Sequence, residues 1–309
     1  MTGVATAMAA SGRWRRLYWL VPAAAVLAAV AVFLARWLRT LPEVQSWLLV
    51  YDGTAPMPDW APVGIPAWLA WQHFLNAFFL VLIVRSGWQV RTVSRPPATW
   101  MRTNTGVLRT RQAPKKISIH QWLHTSLDLL WVANGVIFVV VLFATGQWAR
   151  IVPTSWEVVP NALSAVLQYA SFDWPVENGW VAYNALQQLS YFGVVFLLAP
   201  LAIVTGVRMA EFWPVDSRIS GWYRVEWARA VHFPVMLLFV LFVIVHVVLV
   251  LATGAQRNLN HMFAASDDAT SWWGVGFFAG SLVVMAVAVV AAQPLVIRPV
   301  AAAFGKVGR

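Results

Sequence analysis

Six apolar stretches, at 17–37, 66–86, 121–145, 186–206, 230–253 and 273–296, are each long enough to cross a bilayer core as a helix. That feature limits the fold more than any other. A lone apolar segment in lipid must satisfy its own backbone N–H and C=O groups, and a helix does this where a single strand does not. Of 309 residues, 60% are hydrophobic and 11% charged, when a soluble domain carries about 25% charged residues. The 20 Trp residues fit interfacial belts, as at Trp68, Trp71, Trp88, Trp148, Trp222, Trp227, Trp272 and Trp273. The reading is an all-α, polytopic membrane protein with six transmembrane helices.

The absence of cysteine removes whole chemistries: disulfides, iron–sulfur clusters, Cys₂His₂ zinc sites and c-type haem attachment. No Gly-rich phosphate loop and no Gly-x-Ser-x-Gly elbow is present. The connections are too short for a further domain of typical size, so substrate chemistry beyond electron or quinone handling belongs on another chain.

A net charge of +10 invites a nucleic-acid reading, but its distribution argues against one. Place the N-terminus, the 87–120 and 207–229 connections and the C-terminus on one side. That side then gathers all 22 Lys and Arg except Arg36, Arg39, Arg150 and Arg257. Most acids fall opposite. This is the positive-inside asymmetry, with both termini cytoplasmic, as expected for a bacterial plasma membrane. The basic loop Arg91–Lys116 (Arg95, Arg102, Arg109, Arg111, Lys115) suits anionic lipid headgroups. Arg13, Arg15 and Arg16 before Leu17–Leu34 resemble a signal peptide. The apolar run exceeds a usual signal core and no small-residue cleavage site precedes Arg36, so the expectation is a retained helix.

Histidine is costly inside a membrane and marks function by default. His232 and His246 stand fourteen residues apart in the fifth stretch, nearly four turns, so they share a face ~21 Å apart along the axis. Depth follows from a repeated punctuation. The second to fifth stretches each close on a hydroxyl residue and glycine: Ser86-Gly87, Thr145-Gly146, Thr205-Gly206 and Thr253-Gly254. We read all four as helix ends. His124 precedes Gly146 by 22 residues and His232 precedes Gly254 by 22, so the two share one depth, toward the cytoplasm. His246 lies ~12 Å below the outer end, and His73, counted from Pro66, ~10 Å below it. The depths pair His73 with His246 and His124 with His232, one pair per leaflet.

Zinc prefers four clustered ligands. Two histidines per level suit a planar macrocycle with two axial positions, which is haem. His120, one turn before His124 on the same face, competes with it, and the 22-residue match favours His124. His261, in the outer loop, reads as interfacial.

These residues resemble the di-haem membrane cytochrome b subunits of bacterial respiratory enzymes, namely the formate dehydrogenase gamma subunit and the b-type cytochrome of nickel–iron hydrogenases. In that family a four-helix core carries one His on its first helix, one on its second and two on its fourth. His73, His124, and His232 with His246 match those positions, and the family's pairing agrees with the depth argument. The resemblance covers about 66–254. It implies a central four-helix di-haem bundle, two haem b groups, and a quinone as a further ligand. The implied partner is an extracytoplasmic redox subunit: a molybdenum enzyme, a hydrogenase or a formate dehydrogenase. Helices before and after the core depart from the family's usual four or five spans. A retained first helix turns the core over relative to formate dehydrogenase gamma, so no quinone residue carries over.

The expected organisation is residues 1–62 as first helix and outer loop, 63–256 as di-haem core, and 257–309 as outer loop, sixth helix and cytoplasmic tail. Arg229, one turn before His232, and Arg208 are placed to meet propionates of the inner haem; topology charge explains either equally well. Asp128, one turn beyond His124, is the carboxylate well inside a span, and is expected to orient a ligand, take protons for quinone chemistry or pair with an arginine. Asn76 reads as a weaker partner to His73, with an interhelical hydrogen bond as its plain alternative. Gly135 and Gly193 would admit a porphyrin or pack helices. The outer segment Gln147–Tyr183, rich in Trp and Pro (Trp156, Pro160, Trp174, Pro175, Trp180), reads as a docking surface or a cap over haem. The expected function is electron transfer between the extracytoplasmic partner and the quinone pool. The alternative is a haem-free transporter or anchor whose histidines serve protons or structure.

Overall fold

The computed structural model describes residues 2–105, 109, 113–174, 178–214 and 216–309, and for residues 2–17 the backbone alone. Arg111 and Pro175 lie outside the described residues. Six helices are long and apolar enough to cross a membrane: Tyr18–Leu38, Ala67–Thr92, Ile119–Ala144, Ala185–Met209, Val225–Ala252 and Trp273–Ala291. The protein is an all-α, multi-pass membrane protein with a small sheet added.

The chain divides into two compact units. One comprises Met1–Met57, Arg150–Asn178 and Ala182–Ser190. In it, helix α1 (Thr2–Leu38), helix α2 (Pro42–Val50) and a later helix, Val158–Ala170, are tied by side chains. Arg39 reaches Asp173 at 2.6 Å and the Ser171 hydroxyl at 2.8 Å. Trp47 donates to Ser164, and Asn161 accepts from the Gly53 backbone. Arg150 is buried against Tyr183. Burial pushes its guanidinium down from its ordinary value and the Tyr183 hydroxyl up, and each partner partly offsets the other's shift.

The other unit comprises Pro58–Ala149, Gly179–Val181 and Tyr191–Arg309. Its helices are α3 (Ala67–Thr92) and α4 (Ile119–Ala144), then, α5 being Val158–Ala170 and α6 Ala185–Phe192, α7 (Ala199–Met209). After the short α8 (Arg218–Trp222) come α9 (Val225–Ala252), α10 (Ala255–Phe263), α11 (Trp273–Ala291) and α12 (Pro294–Ala302). Ser118 caps α4 by accepting from the Gln121 N–H. The outward faces of these helices keep large apolar side chains exposed, among them Leu130, Ile137, Leu238 and Ile244, the composition a lipid-facing surface needs.

Three local outcomes differ from the sequence reading. First, α3 runs on to Thr92 and α7 to Met209, so Ser86-Gly87 and Thr205-Gly206 are not helix ends. Thr145-Gly146 and Thr253-Gly254 are, with φ of +75° at Gly146 and +129° at Gly254. Second, the fourth span is not uniformly α-helical. Gly193–Leu198 forms a π-helical turn directly before Pro200, whose missing N–H breaks the regular ladder there. Third, strands β1 (Thr99–Arg102), β2 (Lys116–Ser118) and β3 (Gly305–Gly308) form an antiparallel sheet in the order β2-β1-β3. The sheet fastens the C-terminal segment to the start of α4, with Trp100 donating to the Ala301 carbonyl at 3.0 Å. Trp100, Ile119, Trp122, Leu123, Leu127, Ile297 and Ala301 share one buried cluster there.

Asn260 locks α10 to α11. It is fully buried, donates to the Asp268 and Ser271 carbonyls at 2.8 and 2.6 Å, and accepts from the Gly274 N–H at 2.8 Å. Asn260→Ala removes three bonds and leaves a buried N–H unpaired, at a cost of ~2–4 kcal/mol. A lowered unfolding temperature in detergent is the expected readout.

Candidate functional site

The four histidines meet in two pairs. The His73 and His246 rings stand 6.1 Å apart between centroids at 56°, and the His124 and His232 rings 6.4 Å apart at 88°. The first pair joins α3 to α9 and the second joins α4 to α9. His232 and His246 are fourteen residues apart on α9, which sets the levels ~21 Å apart.

The first pair sits among aromatic rings. Phe242 stacks on His246 at 5.6 Å and 8°, Tyr191 meets it edge-on at 6.0 Å, and Phe263 meets His73 edge-on at 5.4 Å. Nδ1 of His73 is buried without a hydrogen-bond partner. Among the described residues no hydrogen bond to His246 is found either.

The second pair is held differently. His124 Nδ1 lies 3.0 Å from Ser86 Oγ, and His232 Nδ1 lies 2.8 Å from Thr205 Oγ1. Ser86 donates its proton to the Ile83 carbonyl at 3.0 Å, and Thr205 donates to the Leu201 carbonyl at 2.7 Å. A hydroxyl has one proton, so toward imidazole each oxygen is left to accept. Both Nδ1 atoms therefore carry the hydrogen, and both Nε2 lone pairs are free for a metal. Gly87 and Gly206 complete the fit. A Cβ at Gly87 would lie 3.0 Å from His124 Cε1, and one at Gly206 would lie 3.5 Å from His232 Cε1.

These pairs fit the axial positions of haem. Metal–imidazole bonds of ~2 Å on opposite faces of one iron place ring centroids ~6 Å apart. Among the described residues no group of three or more His, Asp and Glu is gathered to hold a metal; the histidines meet two by two.

Other expected residues fall in varied places. His120 is buried, with Nδ1 unpartnered, and has no ring contact with a second histidine among the described residues. Asp128 Oδ2 stands 3.7 Å from His124 Nε2, beyond hydrogen-bond reach. Arg208 is buried, donates from Nε to the Tyr223 carbonyl and lies over the Trp213 ring at 5.1 Å. Arg229 is exposed near the start of α9. Asn76 makes the interhelical bond of its plain reading, its Oδ1 accepting from Trp131 at 3.2 Å and Asn134 at 3.4 Å. A Cβ at Gly135 or Gly193 would meet nothing within 4 Å, so neither glycine packs against a neighbouring helix. His261 is buried, bonded to Asp267 at 2.8 Å and packed near Trp180.

The sequence reading passed over Ser86, Gly87, Thr205 and Gly206 as caps. The signal lay in the same depth count, because α3 and α7 run opposite to α4 and α9. A hydroxyl near the finish of the former therefore meets a histidine near the start of the latter. Arg91, read from the sequence as the start of a basic loop, belongs instead to the last turn of α3, its guanidinium 3.9 Å over the ring of Phe233, the residue after His232.

The chain matches the prokaryotic cytochrome b561 family over residues 64–265, which include all four histidines. A protein of Azospira oryzae named "Putative protein-methionine-sulfoxide reductase subunit YedZ1" is 28% identical over 201 residues, 60% of this chain and 88% of its own length. No solved structure matches. With two-thirds of its length inside the match and a membrane bundle around it, the chain belongs to the prokaryotic cytochrome b561 family, as a multi-pass membrane b-type cytochrome of electron transfer.

Proposed function

We propose that this chain is a di-haem electron-transfer subunit. It links an extracytoplasmic oxidoreductase partner to the quinone pool of a bacterial plasma membrane, with both termini cytoplasmic. The observation that carries this is the pair of histidine pairs, at 6.1 and 6.4 Å, on levels set by one helix. His73 and His246 would hold the outer haem b, and His124 and His232 the inner one. Bound haem iron supplies one-electron exchange.

The remaining work falls to the chain. Helix α9 holds two ligands at a fixed separation. Phe242, Tyr191 and Phe263 exclude water from the first pair, and Ser86 and Thr205 orient the second. Between the levels, Trp131 meets Phe239 edge-on at 6.3 Å and bonds Asn76, and Phe239 is seven residues from each histidine of α9. This layer fills the space between the pairs. Arg229, exposed near the inner pair, is the stronger candidate for a propionate, because Arg208 is already held by Tyr223 and Trp213. Asp128 is placed to take a proton at the inner level. The 36–62 and 147–183 segments serve as the docking surface for the partner. The name of the Azospira relative, a reductase subunit, supports a redox partner.

The test is the purified chain in detergent, with reduced-minus-oxidised spectra and a pyridine haemochrome count. Two haem b per chain is the expected result. A well-folded preparation from haem-replete cells that holds none overturns the reading in favour of a haem-free anchor or transporter.

A further inference from the structure

One local arrangement occurs twice in this bundle. On α3, Ser86 and Gly87 present a hydroxyl and a bare Cα to His124 of the neighbouring helix. On α7, Thr205 and Gly206 present the same two features, at the same spacing, to His232. The other two hydroxyl–glycine pairs do not do this. Thr145 and Thr253 donate back to Val141 and Leu249 at 2.7 and 2.8 Å and touch no imidazole. Helix capping therefore does not account for Ser86 and Thr205.

We propose that these are two copies of one imidazole seat, and that they make the His124/His232 site the lower-potential site of the two. This rests on the bis-histidine haem reading above. The reasoning is chemical. A hydrogen bond from Nδ1–H to an acceptor raises the basicity of the coordinating nitrogen. A more basic axial ligand favours the oxidised, more positively charged iron, and second-sphere hydrogen bonding is one of the levers by which a protein sets haem potential. Both imidazoles of the second pair have this support. In the first pair, His73 Nδ1 is buried without a partner and His246 is packed by Phe242 and Tyr191. An apolar shell disfavours the charged oxidised form. The two levels thus differ in the same direction by two independent effects. Ser86 and Thr205 act through the histidines and are positioning residues.

The experiment uses the full chain in detergent with its haem bound. Haem is first counted, then ferrous and ferric fractions are followed against applied potential by optical and electron paramagnetic resonance spectra. Rings crossed at 88° give a more anisotropic low-spin ferric signal than rings at 56°, which labels the second site. In the unmodified protein the more anisotropic signal is expected to belong to the lower midpoint. Ser86→Ala and Thr205→Val each remove the hydroxyl acceptor and leave both imidazoles of the pair in place, so haem is retained. Each is expected to raise that midpoint alone, by about a tenfold change in the ferrous-to-ferric ratio, ~59 mV for one electron. Thr205→Ser is expected to restore the native value. Two haems with the anisotropic signal at the higher midpoint, or with midpoints unmoved in both variants, overturn the proposal and leave the haem reading standing. Fewer than two haems in the unmodified chain overturns the haem reading itself. If a variant sheds haem, the order of the two midpoints in the unmodified protein decides.

Discussion

His246→Ala is expected to leave one haem per chain where the unmodified protein binds two, and to stop electron transfer through the bundle. Among the described residues no third histidine has a ring contact with the first pair. His261, on the following helix, is bonded to Asp267 at 2.8 Å and packed near Trp180. Phe242, Phe263 and Tyr191 are the ring neighbours of the pair; the two phenylalanines cannot coordinate iron, and Tyr191 would first have to lose its phenol proton in an apolar setting. The second level should keep its haem, since effects at sites more than ~7–10 Å apart are usually independent and the levels stand ~21 Å apart along α9. His73→Ala should do the same from the other side of the pair. His120→Ala and His261→Ala are the controls and should leave the count at two. A pyridine haemochrome assay of the unmodified protein, these four variants and His124→Ala reads all of this. A count of one in His120→Ala and two in His124→Ala would move the second ligand one turn along α4.

Much of this architecture is legible in the sequence because lipid is a strict solvent. Apolar length alone locates six helices, since no other structure satisfies an isolated segment's backbone in hydrocarbon. The depth of His73, His124, His232 and His246 follows from counting residues along rigid rods. The count fails where it relied on local chemistry with two meanings. Ser86-Gly87 reads as a helix end because glycine does end helices, yet within a membrane the next turn costs little and α3 continues. What distinguishes the two uses is a partner on another helix, which a local rule does not see. The sheet was out of reach for the same reason: Trp100 pairs with Ile117 and with Val307, far along the chain. Each strand is too short to show a period of two. The π-helical turn before Pro200 was half visible, since proline announces a disturbance without saying which kind.

Gly87→Leu should remove the second haem while sparing the first. At Gly87 a Cβ alone would lie 3.0 Å from His124 Cε1, so any side chain there competes with the imidazole for space. The alanine variant is the informative partner. By intrinsic propensity, replacing a mid-helix glycine with alanine stabilises by ~0.5–1 kcal/mol, so Gly87→Ala would be favourable if the position were only a weak point in a helix. Instead His124 must yield by a few tenths of an ångström, which lengthens its bond to Ser86 and tilts the ring. The expected result is weakened haem retention despite a better helix former. Gly206 provides the contrast: its Cβ would sit 3.5 Å from His232 Cε1, an ordinary contact, so Gly206→Ala should be silent and Gly206→Leu should not be. A haem count and a detergent unfolding curve on the four variants separate the two effects. Gly87→Leu with both haems retained would show that the glycine serves the helix and not the histidine.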